Sequence, residues 1–453
     1  MEALKLKTLL SLLIMAAGAI TVPFFISESA VSEQQASGLL IDFKQWDVTW
    51  AEMDMEKNSD PYDALDVACI ENDYTFTIED GTVTEINGIS SDDSYSWDLW
   101  TISKNSTTWV KQINPQNVAL IDYTIACWAY REDGGVPTVA VDISGKPIFG
   151  YKTAQRIVTL SPALTEIVGA VRAIEALVGT DSYSDYPYTV AMGQKDGKIK
   201  TVGGYTTPNY EAIVSLRPDV VFCDGSLYAH YLVAERLRNI SVNAILMYGG
   251  ESIQTILSNI YMMGVVVGYT IRSAQALEAL ENAVNDITNT IYSDPQAREV
   301  DVMLALSTDK SPWVTGTGTY IDDLSSFVMG NNVFSSQYDW VQINSEQIPV
   351  CNPSVIIVYT PEYAATQEEY DIMMKQLSAE WKATDAYKNG EIYLVCGSAG
   401  DMALNPSPRF AQLMEITARI LHPGTFGGEE MPKYIGGDYR DYLTFTKDIN
   451  FDY

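Results

Sequence analysis

The chain has 453 residues, 47% hydrophobic and 19% charged, a balance that describes a folded protein too long for one ordinary domain. Its formal charge of −31 argues against nucleic acid and anionic lipid as partners, because phosphate binding needs clustered Lys and Arg. With two histidines and five cysteines, no two cysteines within a few residues of each other, there is little material for a zinc site, a haem ligand or a histidine base. No metal site and no catalytic residue is therefore expected.

Residues 1–30 read as an export signal or membrane anchor: Lys5 and Lys7 precede an apolar stretch from Leu9 to Ile26, followed by Ser27-Glu28-Ser29. The bulk of the protein is then extracytoplasmic, at a cell surface or in a periplasm. The sequons Asn105-Ser106-Thr107 and Asn239-Ile240-Ser241 are compatible with that.

Within residues 31–150, Asn58-Ser59-Asp60-Pro61 is a turn signal, and from Ala64 to Ile148 the chain alternates and is rich in aromatics, as in Tyr74-Thr75-Phe76-Thr77-Ile78 and Thr124-Ile125-Ala126-Cys127-Trp128, with Asp80-Gly81 as a hairpin signal. This predicts a small, mostly-β domain whose Trp97, Trp100, Trp109 and Trp128 serve as core. Cys69 and Cys127 lie in the same region and could pair in an oxidising compartment.

At Arg156 the texture changes. The buried strand Ile157-Val158-Thr159-Leu160 leads into Ser161-Pro162, a capped helix start, and strands and helices then alternate at the spacing of a parallel sheet. The expected units are a first lobe at 151–250, a linking helical region at 251–297, a second lobe at 298–423 and a tail at 424–453. Leu277, Leu280, Val284, Ile287 and Ile291 fall at steps of three and four, so residues 271–292 form an amphipathic helix, a stiff spine and not a flexible linker. The Gly-, Tyr- and Asp-rich tail is expected to pack loosely or extend.

One motif occurs twice. Asn209-Tyr210-Glu211-Ala212-Ile213, ending in Arg217-Pro218-Asp219-Val220-Val221, reappears as Asn344-Ser345-Glu346-Gln347-Ile348, ending in Asn352-Pro353-Ser354-Val355-Ile356. Each copy reads as a short helix carrying an exposed Glu, then a Pro-bearing turn, then a buried strand. Two lobes of one design would each present a carboxylate, Glu211 or Glu346, at the same place.

These stretches, with Arg156 to Glu166 and Ser182-Tyr183-Ser184-Asp185-Tyr186-Pro187, resemble the substrate-binding proteins of ABC importers whose lobes are joined by one rigid helix. Cobalamin-binding proteins are the nearest likeness. The resemblance implies an α/β fold of two parallel-sheet lobes and a ligand cleft bearing Tyr183, Tyr205, Trp313, Trp340 and Asp401. Tyr205 precedes Glu211 by six residues and Trp340 precedes Glu346 by six. Aromatic rings suit a flat corrinoid, cobalamin or a precursor, whose rim of amides calls for a few polar partners.

The same resemblance implies that Glu211 and Glu346 dock on arginines of an ABC permease, which works with ATPase subunits, and that the chain is a monomeric carrier, not an enzyme. Asp224 stands where the family has a cleft aromatic, and Leu404 and Asn405 where it has an acidic-basic pair. A ferric siderophore or haem is the alternative ligand; Tyr183 or Tyr205 could serve haem. The segment with Trp97, Trp100 and Trp128 resembles the transcobalamin C-terminal-like β domain. A metal-dependent surface hydrolase is discouraged by the isolated histidines and the lack of a Gly-x-Ser-x-Gly elbow.

Overall fold

A computed structural model of the protein describes residues 38–43, 48–103, 110–132, 137, 140–144, 147–148, 154–240, 242–361, 366–427 and 430–449. The leader, Trp109, Asn105-Ser106-Thr107 and Ser241 lie outside the described residues. Among the described residues no helix is long and apolar enough to cross a membrane.

The N-terminal region contains a five-stranded sheet in which Tyr123–Glu132 lies between Gly38–Asp42, its parallel neighbour, and Tyr95–Ser103, its antiparallel neighbour. Trp97, Trp100 and Trp128 are all buried. Asp80 and Gly81 both have positive φ, 51° and 78°, the geometry of a tight hairpin turn. Pro61–Glu71 is a helix that the turn residues Asn58 to Pro61 concealed. Asp60 caps it by accepting from Tyr62 and Asp63 backbone N–H groups, and Ala64, Leu65 and Ala68 bury its inner face. Cys69 and Cys127 are both free, buried thiols, so the possible disulfide is not formed. Burial pushes the Cys127 thiol well above its ordinary range.

Two further sheets follow. In the first, Lys200–Thr201, Leu177–Thr180, Ile157–Thr159, Val220–Asp224 and Asn243–Met247 run parallel in that order. In the second, Val300–Ala305, Val355–Thr360 and Ile392–Cys396 form a parallel centre. Its edge departs from the all-parallel expectation, because Trp313–Thr315 and Trp340–Gln342 join as an antiparallel pair.

The spine is a 24-residue helix, Thr270–Ser293, about 36 Å long at 1.5 Å per residue. Leu277, Leu280, Val284, Ile287 and Ile291 are buried, as their spacing requires. A second helix, Ile253–Val266, packs against it. A Cβ on Gly264 would come within 2.1 Å of Ser273 Oγ, so only glycine admits this crossing. One continuous core joins residues of both parallel sheets to both helices. Helix Ile253–Val266 also receives a cap from the far sheet's side of the molecule, its Ile253 N–H donating to Asp323 at 2.9 Å.

The repeated motif folds alike in both places. Asn209 and Asn344 each accept a backbone N–H near the helix start, from Ala212 and Glu346 respectively, both at 3.1 Å. Ile213 and Ile348 are buried, and Arg217 and Asn352 take left-handed backbone just before their prolines. The second copy breaks into a 3-10 turn, Ser345–Gln347, and a four-residue helix, Ile348–Cys351. Pro349 is the physical cause, because it has no N–H to give to the preceding turn.

The tail is not loose. Tyr434–Ile435 adds a parallel strand beside Ile392–Cys396. Beyond it, buried Glu415 on the helix Phe410–Leu421 accepts from the backbone N–H groups of Thr444, Phe445 and Thr446 and from the Thr446 hydroxyl. Gln412 donates to the Ile449 carbonyl at 3.0 Å and accepts from the Tyr439 hydroxyl at 2.9 Å.

Candidate functional site

The loop after strand Leu177–Thr180 carries the first expected ligand residue. It is pinned from beneath by a buried hydroxyl cluster: Thr159, Thr165, Thr180 and Ser184 lie within 2.7–2.9 Å of one another along five contacts. Asp181 accepts from Ser184, and from the Tyr183 N–H at 2.7 Å, while burial raises its carboxyl above the ordinary range against those bonds. Tyr183 itself is 68% exposed. The Ser182 N–H donates to the Gly203 carbonyl at 2.9 Å, and a Cβ on Gly204 would sit 3.9 Å from the Tyr183 ring. Tyr183 and Tyr205 thus flank one glycine pair.

Tyr205 is held at both ends. Its hydroxyl donates to Asp224 Oδ2 at 2.9 Å, and its carbonyl accepts from His230 Nε2 at 2.6 Å. Because the Asp224 backbone N–H donates to His230 Nδ1, the imidazole is neutral with its proton on Nε2. Burial lowers the His230 pKa further. Burial, then Asp224, pushes the Tyr205 phenol far above its ordinary range. Asp224, which also accepts from Ser226 N–H and Oγ, therefore anchors Tyr205. No spacing rule marks His230, and in the sequence Asp224 is only a departure from the family's cleft aromatic. The one available signal was a histidine six residues beyond an Asp that ends a buried strand.

Trp313 and Trp340 lie on paired strands, with Thr315 opposite Trp340, so the two indoles stand diagonally on one face of the pair. Trp313 is 43% exposed, and Trp340 is half-buried against the main core. Asp401 sits in the helix Gly397–Leu404. Burial raises its pKa, and the charge of Asp185, in the loop that bears Tyr183, raises it further. Tyr183 thus stands near Tyr205 and Trp313 diagonally to Trp340, with Asp401 within electrostatic reach of the loop that bears Tyr183.

Since the Asp401 folded-state pKa is raised, its ionisation costs stability above that pKa, and the cost disappears as pH falls through it. Asp401→Asn is accordingly expected to raise the Tm by about 1–3 °C at pH 7, the gain vanishing toward pH 4 in thermal melts.

A buried ion pair joins Glu166, in the helix Pro162–Ala170, to Arg409 at the start of the helix Phe410–Leu421. Arg409 donates through Nε to Glu166 Oε2 at 2.8 Å and through Nη2 to Oε1, and its guanidinium stacks 4.2 Å from the Tyr186 ring centroid.

Glu211 and Glu346 are both exposed and do not belong to this constellation. Arg236 approaches Glu211 to 4.0 Å, but both are open to water and the pairing is weak. Arg236 also lines a depression of about 410 Å³ with Thr207, Pro208 and Leu232. Glu346 lines another, of about 580 Å³, with Lys310, Gln342, Ser378 and Glu380. Among the described residues no cluster of His, Cys, Asp and Glu could hold a metal ion.

Two α/β sheets sharing a core along one long helix define a two-lobed binding protein. The chain belongs to the periplasmic binding protein family, whose profile matches residues 157–397. It is a substrate-binding protein of the ABC-transporter class that handles cobalamin, siderophores and haem, a class that works with a permease and an ATPase. It is 24% identical to the Bacillus subtilis uncharacterized ABC transporter substrate-binding lipoprotein YvrC over 64% of this chain and 87% of that protein. It is 27% identical to the vitamin B12-binding protein of Yersinia pestis over 51% of this chain and 75% of that one. Among solved structures, a periplasmic heme binding protein from Pseudomonas aeruginosa is similar in fold, with a TM-score of 0.52 at 17% identity, covering 61% of this chain and 95% of that one.

Proposed function

We propose that the protein captures a corrinoid, cobalamin or a precursor, outside the cytoplasm and delivers it to an ABC permease. Tyr183, Tyr205, Trp313 and Trp340 supply ring faces for the macrocycle, and Asp401 accepts from amide N–H groups on its rim. What supports this reading is the aromatic set, Tyr183 beside the glycine pair that leads into Tyr205 and Trp313 diagonal to Trp340, together with two carboxylates, Asp401 and exposed Asp185, whose charges repel. A donor-rich amide rim relieves that repulsion, whereas haem propionates or an anionic ferric chelate would add to it. Tyr205 supports the same choice. Its hydroxyl is committed to Asp224 and its phenol is hard to ionise, which makes it a poor phenolate ligand for haem iron. The vitamin B12-binding relative points the same way.

The shared core and the long helix favour a largely pre-formed cleft with modest lobe closure. Glu211 and Glu346 are the docking contacts for the permease.

Calorimetric titration with dicyanocobinamide, cyanocobalamin, haemin and a ferric siderophore tests the ligand. Saturable binding of a corrinoid at about micromolar Kd or tighter is expected. Binding of haemin or the ferric chelate without either corrinoid would overturn the assignment.

A further inference from the structure

The family profile ends at residue 397, yet the chain's later residues reach back to the loop that bears Tyr183. We infer that Arg440, in the C-terminal segment, is a positioning residue that holds the loop 181–187 in its ligand-ready arrangement; this rests on reading that loop as part of the ligand cleft.

Arg440 Nη2 donates to the Tyr186 hydroxyl at 2.9 Å. Tyr186 is the residue whose ring already stacks on Arg409, so the phenol is gripped by its face and by its tip. Both grips come from the far side of the spine helix in sequence, while Tyr186 belongs to the first sheet's loop. The cation is itself well placed. It stands 5.8 Å from the Tyr439 ring centroid, and the Tyr439 hydroxyl is fixed on Gln412 at 2.9 Å. The next residues are fixed too, because Glu415 collects the backbone N–H groups of Thr444, Phe445 and Thr446. A rigid backbone therefore presents the guanidinium, and little side-chain freedom is left to lose when it meets Tyr186.

The Arg440 Nε–H is buried and finds no acceptor among the described residues. A buried donor left unpaired is costly, so the segment is not arranged for the comfort of this side chain alone. What the placement achieves is at the other end. Between Asp181, clamped by the hydroxyl cluster, and Tyr186, clamped by two arginines, stand Tyr183, a residue of the expected cleft, and Asp185, both exposed. Both ends of a short loop are fixed, one by the lobe that owns it and the other by the C-terminal segment.

The test uses the full chain and its Arg440→Ala, Arg440→Lys and Tyr186→Phe variants. Without ligand, hydrogen exchange of the 182–186 amides in Arg440→Ala is expected to accelerate about tenfold, with the strand Val355–Thr360 unchanged. Dicyanocobinamide is expected to dissociate about tenfold faster from it, with association altered less than about twofold. Tyr186→Phe should reproduce the effect, and Arg440→Lys, which keeps a cationic donor, should recover part of it. Unchanged exchange at 182–186, or acceleration spread evenly over the whole chain, would overturn the positioning role. If the unmodified protein binds no corrinoid, the corrinoid reading fails, and the exchange experiment still decides the role of Arg440.

Discussion

Arg409→Met is expected to destabilise the protein by about 3–5 kcal/mol in urea unfolding, because it leaves the Glu166 carboxylate buried without its partner. The Arg409 and Glu166 side chains are only 5% and 3% exposed, so water can replace very little of what is lost. Glu166→Leu alone should cost a similar amount, through an uncompensated guanidinium. The double variant, Arg409→Met with Glu166→Leu, should recover most of the loss, since a buried pair exchanged for apolar side chains of similar volume is often close to neutral. Non-additivity of that size is the signature of direct coupling. A cost below about 1 kcal/mol for either single variant would mean that the pair is solvated and does not tie the two helices together.

Reversing the charge of both Glu211 and Glu346 to Arg is expected to reduce ligand uptake about 100-fold in cells, while the corrinoid Kd changes less than about threefold. The two carboxylates occupy equivalent places on two copies of one motif, Glu346 lining one depression and Glu211 standing 4.0 Å from Arg236, which lines the other. Each single reversal should give an intermediate loss, because a carrier docked by one lobe keeps part of its orientation. A tenfold or greater fall in affinity would place these residues in the cleft instead.

Much of the architecture was legible because it rests on local rules. The spine's apolar steps, the capped start at Ser161, the twice-used helix-turn-strand motif and the β-branched runs of the central strands each state their own geometry. The aromatic set came from the family resemblance and not from any local rule. What could not be read depended on partners distant in sequence. The tail looked loose because its own composition is Gly- and Tyr-rich; the information that it docks lay in Gln412, Glu415 and Arg419, polar residues on a helix that is buried throughout. Such residues need partners, and their partners are the tail. The bond from Tyr205 to Asp224 joins residues 19 apart, and the one from Arg440 to Tyr186 joins residues 254 apart, so no spacing rule reports either. The antiparallel edge that carries Trp313 and Trp340 was hidden for a related reason, since three-residue strands give too little alternation to declare their direction.

The most direct measurement is the visible absorption spectrum of the protein purified from its native host. Corrinoid bands in the bound fraction, released on unfolding at close to one per chain, are the predicted result. A Soret band or a ferric-chelate band in their place would contradict the account.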